Sequence, residues 1–334
     1  MFVLVIGGSA VSSIPGISIA GSNPEIVPFT APADADVLLW GKPHVVDALP
    51  IDPDGHPTPA LITRAAYLAA GFPALIVRAG TFVPPEVPFI ETGARVGGNP
   101  VTEDAVTDAE MLFRKGATLG HELSKTHDTI VIGESIPGGT TTALFLLRSL
   151  GYDGMVSSAS PQNPVRLKED MWEKVTKRLG IDHGSLKGKG IQAVSSLGDP
   201  MQVVAAGIAS GCSENTRVVL AGGTQMLAVG ALLRNLGEQR PLLIATTRYI
   251  AEDKSADFQS IADQVGLEMY LACLDFSRSP FPGLADYEKG FVKEGVGAGG
   301  AVWYAGERGI PVSKVISGTE ILYCDLVHAV GKTS

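Results

Sequence analysis

The chain is short of basic residues, of cysteine and of large stacking aromatics. Of its 334 residues, 26 are Lys or Arg against 35 Asp or Glu, a net charge of −9. No basic block occurs, and three Trp and seven Tyr leave little to stack on bases. A nucleic-acid surface is therefore not expected, because such surfaces need clustered cations and aromatic platforms. A small anion stays open as a ligand, since backbone amides at a helix N-terminus bind anions without many Lys or Arg. The three cysteines, Cys212, Cys273 and Cys324, are far apart and lack CxxC spacing. That pattern fits free thiols in a reducing compartment rather than a disulfide framework. The six histidines form no HxxxH, and His121 and His127 fall off a common helical face, so no metal site is expected.

Long apolar runs are also missing. None reaches the roughly 18–20 residues that span a bilayer. The N-terminal "MFVLVIGGSAVSSIPGISIAG" has no basic leading region and is broken by Gly, Ser and Pro. It reads as a strand and a Gly-rich turn, not a signal peptide. A soluble, cytoplasmic protein is expected, with no membrane partner.

What is present is a hydrophobic content of 45% cut into short pieces. Candidate buried strands are 2–6, 36–40, 74–79, 129–133, 191–196, 217–222 and 241–247. Several are β-branched on both faces, as in a parallel sheet covered by helices. Helical patterns lie between them at about 58–70, 103–126, 139–150, 165–179, 199–211, 224–237 and 255–265. Thr102, followed by Glu103 and Asp104, signals one helix start. Asp199 as N-cap with Pro200 behind it signals another. Alternating strands and helices predict an α/β, doubly wound, mostly parallel sheet with helices on both faces. The turn-rich first 57 residues and the Gly/Pro-rich tail from 281 suggest a smaller lobe. The expected division is 58–280 as a Rossmann-like nucleotide-binding domain, with 1–57 and 281–334 packing on it.

Four Gly-rich turns stand where strands hand over to helices. In "VIGESIPGGTTTALFLL" (131–147), Gly138 and Gly139 permit close approach of a ligand, and Thr140, Thr141 and Thr142 add hydroxyls. The helix N-terminus there favours an anion. The loop lacks the Gly-Lys-Ser/Thr of a Walker A motif and does not fit GxGxxG, so it is either a different phosphate cradle or a plain turn. Glu134 would repel a phosphate beside it. It either faces another part of the ligand, such as ribose hydroxyls or a water, or is an exposed loop residue. The second turn, "FVKEGVGAGGAVWYAG" (291–306), sets Glu294 among glycines. A carboxylate poorly screened there would have a raised pKa and suit a general base; the alternative is a helix-capping Glu. "GARVGGNPVTEDA" (93–105), with Gly97, Gly98 and Asn99, and "AGGTQMLAVGALL" (221–233), with Gly222 and Gly223, complete the set. In doubly wound sheets such loops gather at the carboxyl ends of the strands, where ligands bind.

From about Thr58 to Gly306 the order of these elements resembles the nicotinate-nucleotide–dimethylbenzimidazole phosphoribosyltransferase family. "GESIPGGTTT" (133–142) takes the place of that family's Gly-Glu-Met-Gly-Ile-Gly-Asn-Thr-Thr phosphate loop. "KEGVGAGGA" looks like its Gly-Glu-Gly-Thr-Gly-Ala-Ala stretch, which carries the catalytic glutamate. "RVGGNPVT" looks like its Gly-Thr-x-Asn turn, and "RVVLAGGTQMLAVGALL" like its Val-x-Asp-Gly-Phe-Ile segment. The family's Lys-Pro-Pro-Gly-Ser-Leu-Gly segment is missing, and Ile-Pro-Gly-Gly replaces Met-Gly-Ile-Gly-Asn. The chain looks more like the divergent branch seen in archaea and cyanobacteria.

The resemblance implies transfer of phosphoribose from nicotinate mononucleotide to a benzimidazole or purine base, for the lower ligand of cobamides. It gives Glu294 the base role and makes Lys168 the phosphate-site lysine; Glu134 is taken as a second catalytic residue. It implies a homodimer and no cofactor. A non-catalytic nucleotide or base carrier and a nucleotide glycohydrolase remain as alternative readings.

Overall fold

A computed structural model describes residues 1–18 and 20–330. Its centre is one seven-stranded, fully parallel sheet in the order β3-β2-β1-β4-β5-β6-β7. The strands are β1 (Phe2–Gly7), β2 (Ala74–Ala79), β3 (Ile90–Glu91), β4 (Thr129–Ser135), β5 (Arg217–Ala221), β6 (Leu243–Thr247) and β7 (Glu268–Ala272). The helices of the first half are α1 (Thr30–Trp40), α2 (Ala60–Ala70), α3 (Ala109–Ser124), α4 (Gly139–Ser149) and α5 (Val165–Leu179). Then come α6 (Gly190–Leu197), α7 (Pro200–Gly211), α8 (Thr224–Asn235), the single turn α9 (Arg248–Ala251) and α10 (Phe258–Val265). A second single turn, α11 (Pro282–Ala285), precedes α12 (Ala298–Gly306) and α13 (Val312–Val330).

Each inner strand feeds two cores. In β4, Ile130 and Ile132 join the core under α3, α4, α7 and α8, while Val131 joins the core under α1, α2 and α12. Burial on both faces is why these strands read as continuous apolar runs. The doubly wound architecture expected from the alternation is present. The chain reverses its winding between β1 and β4, and a crevice opens there at the carboxyl ends of the strands.

Several expected elements differ. Residues 36–40 are the second half of α1, whose apolar residues pack on the sheet and whose end is capped by Gly41 at φ 94°. Residues 191–196 lie in α6, where Ala193, Val194 and Leu197 share one buried helical face. Both are short apolar runs in which strand and helix periods cannot be separated. The helix expected from Thr102 begins at Ala109, because Asn99 closes a turn with the amides of Thr102 and Glu103. β3 and β7 carry no such expectation, being a two-residue strand and a half-exposed edge strand. The boundary at 57 does not separate a lobe from the sheet either. β1 is the central strand, paired with β2 and β4, and α12 lies on the sheet as a covering helix. The Met1 amine, just before β1, donates to the Tyr304 hydroxyl of α12 at 2.9 Å.

α12 sits unusually close to the strands. A Cβ on Gly300 would stand 2.1 Å from Ala221 Cβ, and one on Gly299 would stand 2.1 Å from the Thr246 carbonyl carbon. Helix and sheet backbones therefore touch across two side-chain-free positions. Gly300→Ala is expected to destabilise the protein by about 1–3 kcal/mol, as overpacked cores do. Urea unfolding of the variant beside the parent checks this.

Candidate active site

One large cavity, of about 290 Å³, opens at the crevice between β1 and β4. Its walls bring together Glu134, Gly138, Gly139 and Thr140 with Gly223 and Glu294. Two of the Gly-rich turns meet here through backbone contact. A Cβ on Gly297 would lie 2.9 Å from Gly133 Cα, so the 294–297 loop crosses directly over β4 just before Glu134. The Gly222–Gly223 turn fits between the two glutamates. A Cβ on Gly222 would lie 3.5 Å from Glu134 Oε1, and one on Gly223 would lie 3.5 Å from Glu294 Cγ.

The loop carrying Glu294 is held in a conformation that side chains resist. Val292, Lys293 and Val296 have φ of 60°, 61° and 55°. Left-handed backbone is rare for β-branched residues, and it persists only when neighbours over-determine it. They do so here. The Lys293 ammonium donates to the carbonyls of Ser158 and Ser160 at 2.8 and 2.9 Å and pairs with Asp253 at 3.0 Å. The Thr247 hydroxyl donates to Lys293 O, and Thr63 donates to Val296 O at 2.9 Å. Glu294 Oε2 then accepts from the Thr247 amide at 2.7 Å, and its carboxylate also accepts from the amides of Gly295 and Gly299. The glutamate therefore touches the first turn of α12 as a capping residue would, and it also lines the cavity.

Burial dominates the electrostatics. Glu134 is only 4% exposed. Its pKa is pushed up to about 8 by burial first, then by the charges of Glu294, Asp199 and Asp34. Glu294 is raised to about 7 by burial, against the pull of its amide donors. Asp34 and Asp52 add two further carboxyls to the cavity wall, and Asp34 is raised to about 6 by burial and steadied by the hydroxyls of Thr58 (2.6 Å) and Ser135 (2.7 Å). Among the described residues, no Lys or Arg lines the cavity.

The elements expected to meet an anion are mostly backbone. Gly138, at φ 77°, turns the chain into the N-terminus of α4, and Gly138, Gly139 and Thr140 face the cavity. Thr141 and Thr142 are buried away from it, and the Thr142 hydroxyl is bound to Asp199 at 2.6 Å. The facing wall is the 157–160 loop. Lys168 binds Ser157 O at 2.9 Å and Lys293 binds Ser158 O, both from outside the cavity. A trans peptide holds its N–H opposite its C=O. On these two peptides the N–H groups, of Ser158 and of Ala159, therefore lie on the side away from the lysines.

Lys168 itself does not present its amine to the cavity. It is fully buried, also bound to Asn163 Oδ1 at 3.0 Å, with a pKa lowered to about 7 by burial and then by Lys293. Its part is to shape the wall from behind. Gly97, Gly98 and Asn99 lie apart from the cavity. Gly97 bridges to Ser9, Gly98 donates to Ala105 O, and Asn99 closes its own turn. Residues that the sequence did not single out also line the cavity: Asp34, Ser135, His56 and Gln225. Asp34 stands with Asp36 in "APADADVLLW", where only the following run 36–40 was read, and as a strand. Ligand atoms of Asp52, Asp54 and His56 lie within 4.8 Å of one another. They form a closed turn, with Asp52 accepting from the amides of Asp54 and His56 and from the His56 ring.

The fold is one shared by known proteins. No protein-family model matches the chain. The nicotinate-nucleotide–dimethylbenzimidazole phosphoribosyltransferase of Thermus thermophilus superposes with a TM-score of 0.61 at 15% identity, over 96% of this chain and 82% of that one. A second crystal structure, of CobT from the same organism, gives 0.58 at 14% identity, over 96% and 83%. These likenesses establish the fold class. In sequence, a UPF0284 protein of Pyrococcus furiosus is 49% identical over 329 residues, covering 98% of this chain and 99% of its own. UPF0284 proteins of Thermococcus kodakarensis (49% over 325 residues, 97% and 96%) and Sulfurisphaera tokodaii (42% over 329 residues, 97% and 92%) match along their length as well. The chain belongs to the UPF0284 family. No helix among the described residues is long and apolar enough to cross a membrane.

The buried carboxyls tie stability to pH. A carboxyl whose folded pKa is raised binds more protons folded than unfolded, so its contribution falls as pH rises through that pKa. Replacing Glu134 by Gln removes this loss. Denaturant unfolding of both proteins, between about pH 5 and about pH 8, is expected to show the variant gaining stability relative to the parent as pH rises.

Proposed function

We propose that this protein is a phosphoribosyltransferase. It moves the 5-phosphoribosyl group of nicotinate mononucleotide to a heterocyclic base, giving an α-ribazole-type phosphate for cobamide lower-ligand assembly. The observation that carries this reading is that Glu294 and the N-terminus of α4 line one cavity. The fold of the Thermus thermophilus enzymes supports it.

In this mechanism the amides of Gly138 and Thr140 and those of Ser158 and Ala159 hold the 5′-phosphate, with the buried Lys168 and Lys293 behind the second wall. That anchors C1′ for displacement, a positioning effect. The bond from C1′ to the pyridinium nitrogen breaks, its electron pair neutralises that nitrogen, and nicotinate leaves. A ring nitrogen of the acceptor attacks C1′ from the opposite face with inversion. Glu294 takes the proton from the acceptor's partner nitrogen, so the attacking lone pair is available without building positive charge. Its raised pKa, about 7, makes it a stronger base than an exposed carboxylate while leaving much of it ionised near neutrality.

The test is release of free nicotinate from nicotinate mononucleotide with added bases. Glu294→Gln is expected to slow release by about 10²–10⁴-fold, with nucleotide binding by calorimetry retained. An unaffected variant removes Glu294 from the base role. Release without any base points to hydrolysis instead. In the parent, kcat/KM is expected to rise with pH through about 7, the ionisation of Glu294, and that limb is expected to vanish in the Gln variant.

A further inference from the structure

Gly139 opens α4, and space rather than backbone conformation requires a glycine there. Its φ is not in the left-handed region. A Cβ at this position would stand 2.4 Å from Gln225 Nε2, 3.1 Å from Gln225 Cδ and 2.6 Å from Ile136 Cγ2. The Gln225 side chain, from the second residue of α8, is thus laid on the first turn of α4 with its nitrogen leading. Gln225 is 8% exposed and lines the cavity. Its side-chain amide makes no hydrogen bond among the described residues, and it is open to the cavity rather than sealed in the core.

Other donors wait at the same place. Gly139 and Thr141 spend their amides within the turn, on Ile136 O and Gly138 O. The amides of Gly138 and Thr140 have no acceptor among the described residues. Turned the other way, the Gln225 amide would bring its oxygen to α4 and cap the helix, which has no side-chain cap. The nitrogen faces it instead, so donors gather around a common gap.

We propose that Gln225 is a ligand-binding residue, whose amide nitrogen completes the anion site at the start of α4 by donating to a phosphate oxygen. The identity of that phosphate, the 5′-phosphate of the nucleotide, rests on the transferase reading above. A primary amide supplies two N–H donors without charge. Among the described residues no Lys or Arg lines the cavity, so an anion there must be met by neutral donors and the helix dipole. A buried donor without an acceptor costs free energy, and a phosphate oxygen relieves that cost. Two residues earlier, Gly223 lies against Glu294, where a Cβ would stand 3.5 Å from Glu294 Cγ. The start of α8 therefore touches both the phosphate helix and the proposed base.

The experiment measures binding of nicotinate mononucleotide, of the riboside that lacks its phosphate, and of inorganic phosphate by calorimetry. Gln225→Leu is expected to weaken the mononucleotide and inorganic phosphate by about 10- to 100-fold, the worth of a hydrogen bond to a charged group. Riboside binding is expected to stay as in the parent. Gln225→Glu keeps the side chain's shape and replaces the donor by a negative acceptor. A carboxylate near a helix N-terminus favours the fold, so this variant is expected to remain stable to urea and to lose phosphate binding at least as severely. It decides the matter alone where the Leu variant does not fold. Phosphate ligands bound as in the parent by the folded Glu variant overturn the inference. So does equal weakening of mononucleotide and riboside, because that pattern belongs to packing or to another part of the ligand. A parent that binds neither phosphate nor mononucleotide overturns this inference and the transferase reading together. Binding that depends on the phosphate and on Gln225, without nicotinate release with any base, supports the inference and overturns the transferase reading alone.

Discussion

The contact between Gly133 and Gly297 is the constraint from which the site follows. Two backbones meet there without side chains between them. The residue after Gly133 is Glu134, and three residues before Gly297 is Glu294. The contact itself is possible because α12 is seated on β5 and β6 through Gly299 and Gly300. The approach to α12 is forced through left-handed backbone at Val292, Lys293 and Val296, and the hydrogen bonds of Lys293, Thr247 and Thr63 hold it there. Helix seating, loop strain and carboxylate placement are thus one mechanical unit.

The same unit sets the charge balance. Bringing carboxyls together out of water raises their proton affinities, and each resists ionisation of the next. The cavity offers them no lining cation; positive charge is kept one layer back, on Lys168 and Lys293. These two lysines spend their donors on carbonyls of the 157–160 loop. The N–H groups of those peptides lie on the side away from the lysines.

Much of this architecture was legible from periodicity. The buried strands at 2–6, 74–79, 129–133 and 217–222 read correctly because burial on two faces leaves an unbroken apolar run. The N-cap at Asp199 was legible from Asp followed by Pro, and the structure adds Gln202 as its reciprocal partner. The segments 36–40 and 191–196 did not read correctly, since a five- or six-residue apolar run has no period to display. The turn at 97–99 has the composition of a ligand loop, yet its amides and carbonyls close on β1 and on itself. Composition shows that a turn exists and not which way it faces.

The sequence by itself determined the alternation of strands and helices, the Gly-rich turns at their junctions and the two glutamates set within them. Those depend on neighbours within a few residues. The tertiary structure decided which turns share a cavity, that β1 is the central strand, and that Lys168 works from behind the wall. It also added Asp34 and Gln225. These features depend on which strands pair and how closely a helix approaches the sheet, and such choices are made by packing between residues one or two hundred positions apart.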